Sequence, residues 1–250
     1  MNTAEFRPHT QARRVRRAVD EVCVVIPAHD EQDLLGDCLG SVLGAARELR
    51  RRDPQVRCHV IVVLDDCADA SADIVTRSGA IAVEVHHQNV GAARRDGVRI
   101  ALARSHSRPR QIWLASTDAD CQVPIDWLTG FVDAADSGYH LVAGMVRASG
   151  ELTPAEQWAW NQNHEYTEGH PHVHGANLGI RADVYARLGG WRALPTGEDV
   201  DLVRRAERLP GLPILRSARQ PVATSFRRIG RAPSGFAEYL SSLAGTGGGA

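Results

Sequence analysis

Apolar residues follow two alternating patterns along the first 150 positions of this chain. Val22 to Ile26 is a near-continuous, β-branched run ended by Pro27, and 59–64 is a second one that stops at Asp65-Asp66. Runs without polar alternation mark strands buried on both faces, as in a parallel sheet. Between them, Leu34, Leu35, Cys38, Leu39, Val42 and Leu43 recur every three to four residues, which is one face of a helix. The alternation continues with a helix over 72–77, a strand over 80–85, a helix over 91–103 and a strand over 112–115. A helix over 125–135 and a strand over 141–146 follow. This β-α-β-α order predicts an α/β fold, a single Rossmann-like domain whose mainly parallel central sheet is flanked by helices. Beyond residue 150 the pattern is less regular. It predicts a helix over 154–168, a strand over 175–180, helices over 182–188 and 200–207, a break at Pro210-Gly211 and a short strand at 214–215.

Length and composition narrow this picture modestly. The 250 residues divide into a polar arm (1–20), one domain (21–243) and a Gly-rich tail (244–250). Twenty-nine basic and 30 acidic side chains leave the chain near neutral, which argues against nucleic acid as its main partner. Two local basic clusters stand out, Arg13, Arg14, Arg16 and Arg17 near the start and Arg216, Arg219, Arg227, Arg228 and Arg231 near the end. They read as solvated faces or as contacts with anionic head groups or a phosphorylated substrate. The five cysteines have no C-x-x-C spacing, so neither a zinc knuckle nor a redox dithiol is indicated. A reduced, cytoplasmic protein is expected, without a leader or a membrane-spanning helix but with possible peripheral contact at the inner face of a membrane.

The acidic residues carry the chemistry. Open α/β sheets bind ligands at the carboxyl ends of their strands, and three strands here end in acids: His29-Asp30-Glu31, Asp65-Asp66, and Asp118-Ala119-Asp120. Each alone fits an ordinary turn, because Asp favours turns and helix starts. Three converging on one rim repel one another, and a cation relieves that repulsion. In an extended segment Asp118 and Asp120 lie on one side of the chain, positioned to hold a hard ion such as Mg²⁺ or Mn²⁺ and leave sites for phosphate oxygens.

At this point the chain resembles the family 2 glycosyltransferases of the GT-A fold. Four segments carry the likeness: Val24 through Glu31, Val62 through Ser71, Thr117-Asp118-Ala119-Asp120, and Gly175 through Arg181 with Gly189-Gly190-Trp191 and Glu198-Asp199-Val200-Asp201-Leu202. They occur in the family's order across roughly 22–205. The resemblance implies an inverting transfer from a UDP- or GDP-linked nucleotide-sugar donor to a small or lipid-linked acceptor. It implies that Pro27, Ala28 and Glu31 line the nucleotide pocket and that Asp65 accepts a hydrogen bond from the base. It puts Arg94 or Arg95 near the diphosphate, Asp118 on ribose or metal, and Asp120 on the metal. Asp199, beside Glu198, matches the general base. Arg227 and Arg228 fall where some members hold the diphosphate with a closing loop.

Several features stand beside that likeness. Thr196 as N-cap would make Thr196-Gly197-Glu198-Asp199 a capping box, the bland reading of the same acids. Asp66-Cys67-Ala68-Asp69-Ala70-Ser71 stands where the family commonly has Gly and Ser, so its turn differs. His170, His172 and His174 alternate; they are a zinc site or polar loop residues, with His174 a candidate metal ligand close to the donor or acceptor. Trp158, Trp160, Tyr166 and Trp191 are a sugar platform or core. A nucleotidyltransferase would carry a Gly-rich basic loop after the first strand, where this chain has His29-Asp30-Glu31. A non-catalytic nucleotide-sugar-binding module would have no need of both acid pairs.

Overall fold

The structure, a computed structural model, describes residues 17–150, 153, 154, 158, 160 and 164–225. Its strands are β1 (Glu21–Ala28), β2 (Arg57–Asp65), β3 (Ile81–Val85), β4 (Ile112–Ser116), β5 (Cys121–Gln122), β6 (Leu141–Ser149), β7 (Leu178–Arg181) and β8 (Ile214–Ser225). The helices are α1 (Leu35–Arg52), α2 (Ser71–Ser78), α3 (Val90–Arg104), α4 (Trp127–Asp136), α5 (Ala182–Arg187) and α6 (Glu198–Glu207). All eight strands form one sheet in the order β3-β2-β1-β4-β7-β6-β8-β5. The half made of β3, β2, β1 and β4 is parallel, as the apolar runs predict. β7 enters antiparallel between β4 and β6, β8 returns parallel to β6, and β5 closes the edge antiparallel to β8. The sheet is therefore mixed rather than uniformly parallel.

Side-chain alternation along the central strands divides the core. Val22, Val24 and Ile26 of β1 and Val60, Val62 and Leu64 of β2 face a cluster that includes Leu35, Leu39, Val42 and Leu49 of α1 and Trp127, Leu128 and Phe131 of α4. Cys23, Val25, Ile61 and Val63 point the other way, onto Ala93 and Val98 of α3, Val184 of α5 and Leu202 and Val203 of α6. A period of two on strands buried on both faces produces this split. Gly97 lets α3 approach closely: a Cβ there would lie 2.4 Å from Val25 and 2.8 Å from Val63.

Three expectations need correction. β8 spans twelve residues instead of two. Arg216, Arg219, Gln220 and Pro221 hide it from any apolar count, and its pairing with β6 makes the strand, across an irregularity between Gly144 and Val146. The helix expected over 154–168 does not reach its end, since residues 164–167 are irregular. The third concerns α6, which starts at Glu198 with Gly197 as N-cap in the left-handed region and no side-chain cap bond, so the Thr196 capping box does not form.

Most of the arm, the tail, and Arg227 and Arg228 lie outside the described residues. The described end of the arm is packed: Val19 is buried, and the Asp20 N–H donates to the Gln111 carbonyl at 2.8 Å. No helix among the described residues is long and apolar enough to cross a membrane.

Candidate active site

Strand order reverses between β1 and β4, because β2 and β3 extend to one side of β1 and β4 lies on the other. In open α/β sheets the crevice beside such a switch point, at the strands' carboxyl ends, is where ligands bind. Ala28, Asp65 and Ser116 end β1, β2 and β4 there.

Asp65 is buried, and its carboxylate is turned toward the loop after β3. Oδ1 accepts from the N–H groups of His87 at 2.6 Å and Gln88 at 2.9 Å, and Oδ2 accepts from Asn89 at 2.9 Å. Three main-chain donors thus engage the group that the resemblance gives to the base. This loop leads into α3, where the Asn89 side chain caps the helix by accepting from the Ala92 N–H at 2.9 Å and donates to the Leu194 carbonyl at 2.9 Å. The Asp30 carboxylate accepts from Ala68 at 2.7 Å, and Asp30 and Asp66 both have positive φ. The first two acidic turns are thereby tied together. Glu31 is buried within this turn, its N–H donating to Ser71 Oγ at 2.9 Å, while Pro27 and Ala28 carry β1 up to the crevice.

Of the two candidate arginines, α3 turns Arg94 inward and leaves Arg95 exposed. Arg94 is only 2% exposed. One Nη donates to Asp118 Oδ1 at 2.5 Å and the other to Glu198 Oε1. The guanidinium carbon lies 5.1 Å from the centre of the Trp191 ring, a cation–π contact. Gly175 leaves room for this cation, since a Cβ there would stand 2.6 Å from it. Gly91 lets α3 approach the far segment, where a Cβ would lie 2.1 Å from the Arg192 carbonyl oxygen and 3.2 Å from Glu198.

Asp118 and Asp120 sit in a turn, closed by the Cys121 N–H donating to the Asp118 carbonyl at 3.1 Å, rather than in an extended segment. The turn still brings carboxylate oxygens of both and the Cys121 sulfur within 4.8 Å of one another. Burial pushes the Asp118 pKa up to about 6, with the charges of Asp120 and Glu198 adding and Arg94 opposing. Oxygen donors crowded under like charge suit a hard divalent ion, so these residues fit Mg²⁺ or Mn²⁺.

Asp199 follows Glu198 at the start of α6. Its Oδ2 accepts from the Gly175 N–H at 2.7 Å, which fixes the carboxylate against the segment leading to β7. Within this segment, the sequence marks Asn177 only as part of the family likeness. Asn177, buried, accepts from Trp127 Nε1 at 2.9 Å and donates to the carbonyls of Met145 and Gln220 at 2.8 Å each, joining α4, β6 and β8. A lone Asn gives no periodic signal, and only its place after Gly175-Ala176 marked it.

The histidines gather apart from the carboxylates. His174 groups with His164 and His172, not with Asp118 and Asp120. Burial, with the neighbouring histidines adding, pushes its pKa down to about 3. The aromatic set divides: Trp160 and Trp191 are buried, while Trp158 is 66% exposed and Tyr166 is partly so.

An open α/β sheet with acidic turns gathered at its switch point and an antiparallel strand beyond it is the GT-A architecture. The mannosyltransferase PcManGT from Pyrobaculum calidifontis, solved with GDP-Man and Mn²⁺, shares it with a TM-score of 0.58 at 19% identity, over 89% of this chain and 68% of that one. TarS residues 1–349 from S. aureus, solved with UDP, aligns with a TM-score of 0.56 at 12% identity, over 83% of this chain and 61% of that one. The model of glycosyl transferase family 2 matches residues 23–189, and the chain belongs to that family. Membership weighs against a nucleotidyltransferase. Two curated relatives are undecaprenyl-phosphate 4-deoxy-4-formamido-L-arabinose transferases. The one from Klebsiella pneumoniae (strain 342) is 32% identical over 129 residues, 52% of this chain and 37% of that protein. The one from Edwardsiella ictaluri (strain 93-146) is 28% identical over 135 residues, 52% and 38%. The matched stretch spans less than two-fifths of those proteins.

Proposed function

We propose that this chain transfers a sugar from a UDP- or GDP-linked donor to an acceptor hydroxyl by inverting single displacement. One observation carries the reading: buried Arg94 bonds both Asp118, on the donor side, and Glu198, next to Asp199 on the acceptor side. The two acidic motifs, 80 positions apart in sequence, thereby serve one reaction centre.

In this reading Asp118 and Asp120 hold Mg²⁺ or Mn²⁺, which when bound neutralises charge on the diphosphate leaving group. Pro27, Ala28 and Glu31 line the nucleotide pocket, and Asp65 acts by holding the 87–89 loop that positions α3 and so Arg94. Asp199 takes the acceptor's proton as its oxygen attacks the anomeric carbon and the bond to the diphosphate breaks. The hydrogen bond from Gly175 keeps that carboxylate oriented, and a base within reach contributes about 10²–10⁴-fold. Arg227 and Arg228 remain candidates for the diphosphate.

Asp199→Asn should lower transfer by about 10²–10⁴-fold and leave donor affinity unchanged. Equal turnover by the variant and the parent would remove Asp199 from the role. The names of the curated relatives favour a second acceptor class, a polyprenyl phosphate. Such a nucleophile is already anionic and needs no base. Asp199→Asn active on the lipid phosphate but inactive on hydroxyl acceptors would decide for that class, and with it for work at a membrane surface.

A further inference from the structure

Four histidines collect where the chain approaches β7. Between ring centres, His164 lies 5.1 Å from His172 and 6.2 Å from His174, and His172 lies 6.0 Å from His174. One ring nitrogen from each of these three is within 4.8 Å of the other two. His170 borders them, 5.9 Å from His172. We propose that His164, His172 and His174 form a nitrogen-donor site for a transition metal, Zn²⁺ by chemistry, separate from the carboxylates Asp118 and Asp120.

The case rests on hydrogen bonding. A carbonyl oxygen only accepts, so His164 Nδ1, 3.1 Å from the Trp160 carbonyl, carries the proton and leaves its lone pair on Nε2. Metal-binding histidines are oriented in this way, one ring nitrogen donating to a carbonyl while the other faces the ion. The Trp160 indole stacks on the same imidazole at 3.8 Å and 5°, which holds the ring in place. Among the described residues, His174 Nε2 is buried without a hydrogen-bond partner. Buried polar atoms are rarely left so, and a metal bond would satisfy this one. Arg216 fixes the surrounding backbone by donating to the carbonyls of His170 and His172 at 3.2 and 3.1 Å.

Donor type separates this site from the carboxylate pair: imidazole selects Zn²⁺ and its neighbours, whereas carboxylates select Mg²⁺ and Mn²⁺. Zn–N bonds of about 2.0–2.1 Å place donor nitrogens about 3.3 Å apart. The three rings lie within 25° of parallel, so loading requires His172 and His174 to turn about χ2, a broad and easily turned torsion, relative to the His164 ring that Trp160 holds. Three protein ligands leave a fourth position for water or an exogenous group. His174 immediately precedes Gly175, whose N–H orients Asp199, so an ion here would pin the backbone on which that carboxylate rests.

The test uses the full chain stripped with a chelator and then titrated with zinc chloride against a chromophoric competitor. Wild type should bind one equivalent. His172→Gln, at a partly exposed ring, should weaken binding by about 100-fold or more, at or beyond the loss seen when outer-shell partners are removed. Asp118→Asn/Asp120→Asn should bind zinc as wild type does. Amide exchange over 170–177 should slow when zinc is added. Absence of binding by wild type overturns the proposal, and so does equal zinc affinity in His172→Gln or loss of zinc in the carboxylate variant. Circular dichroism matching wild type qualifies each variant, and the wild-type titration decides alone if a variant unfolds.

Discussion

At the scale of single residues, Arg94 decides most. Its cation is enclosed by Asp118, Glu198 and Trp191. Removing one member of a buried ionic set leaves the others uncompensated, at a cost of about 3–5 kcal/mol. Arg94→Ala should lose that much in urea denaturation together with its transfer activity. Arg94→Lys should not recover either, because one ammonium cannot span two carboxylates as a planar guanidinium does. A lysine variant with wild-type stability and turnover would show that the fork is unnecessary. Sequence left Arg94 and Arg95 as alternatives, since adjacent helical residues differ only in which face the packing turns inward. A second residue-scale effect lies far from the crevice. Glu21 is fully buried at the start of β1; burial raises its pKa, but hydrogen bonds from Ser105, Arg57 and Ser107 and the charge of His59 outweigh this and hold it below its ordinary value. As pH falls, the unfolded chain takes up this proton first. Glu21 therefore stabilises the fold above about pH 4.3 and loses that contribution as pH drops through its lowered folded value. Urea midpoints of Glu21→Gln should lie below wild type at pH 7, and the gap should close below about pH 4; a gap independent of pH would exclude ionisation as the cause.

At the scale of elements, legibility followed burial. Strands buried on both faces, β1, β2 and β4, announced themselves as apolar runs, and the helices between them by their period. β8 did not, because it carries Arg216, Arg219 and Gln220 and gains its identity from β6 alongside it. That the acids at 118 and 120 come together was legible from their spacing, but the geometry was not, because a turn rather than an extended segment brings them together. The joint between α4, β6 and β8 depends on Asn177, which has no counterpart in any pattern of apolar spacing. Asn177→Ala should cost about 3 kcal/mol, since it strands the Trp127 N–H and the Met145 carbonyl in the interior. Asn177→Asp should cost more, as it sets a carboxylate against the Met145 and Gln220 carbonyls. Chemical denaturation giving the reverse order, or no loss for either, would count against the joint.

For the molecule as a whole, the β-α-β-α order brought out a mainly parallel α/β sheet, and the four motifs in succession added the likeness to the GT-A fold. Neither brought out the reversal at β7, which turns the parallel half into a mixed sheet. Binding belongs to this scale too. A ligand that binds only the folded chain raises its melting temperature, by about 2.7 kcal/mol of stabilisation at a hundredfold excess over Kd. UDP or GDP with Mn²⁺ should produce such a shift in a thermal-unfolding screen, and each alone should not. A shift equally large without any metal, or no shift with any nucleotide, would count against the carboxylate assignment.

The enclosed guanidinium also sets a rule of admission. Around the buried Arg94 stand three acids, Asp118, Glu198 and Asp199, and Asp120 lies beside Asp118. Acids gathered this closely disfavour a bare diphosphate, which carries the same sign. If the proposed ion binds here, it would serve less as an accessory to the chemistry than as an escort, and a diphosphate already paired with it would be the species that enters.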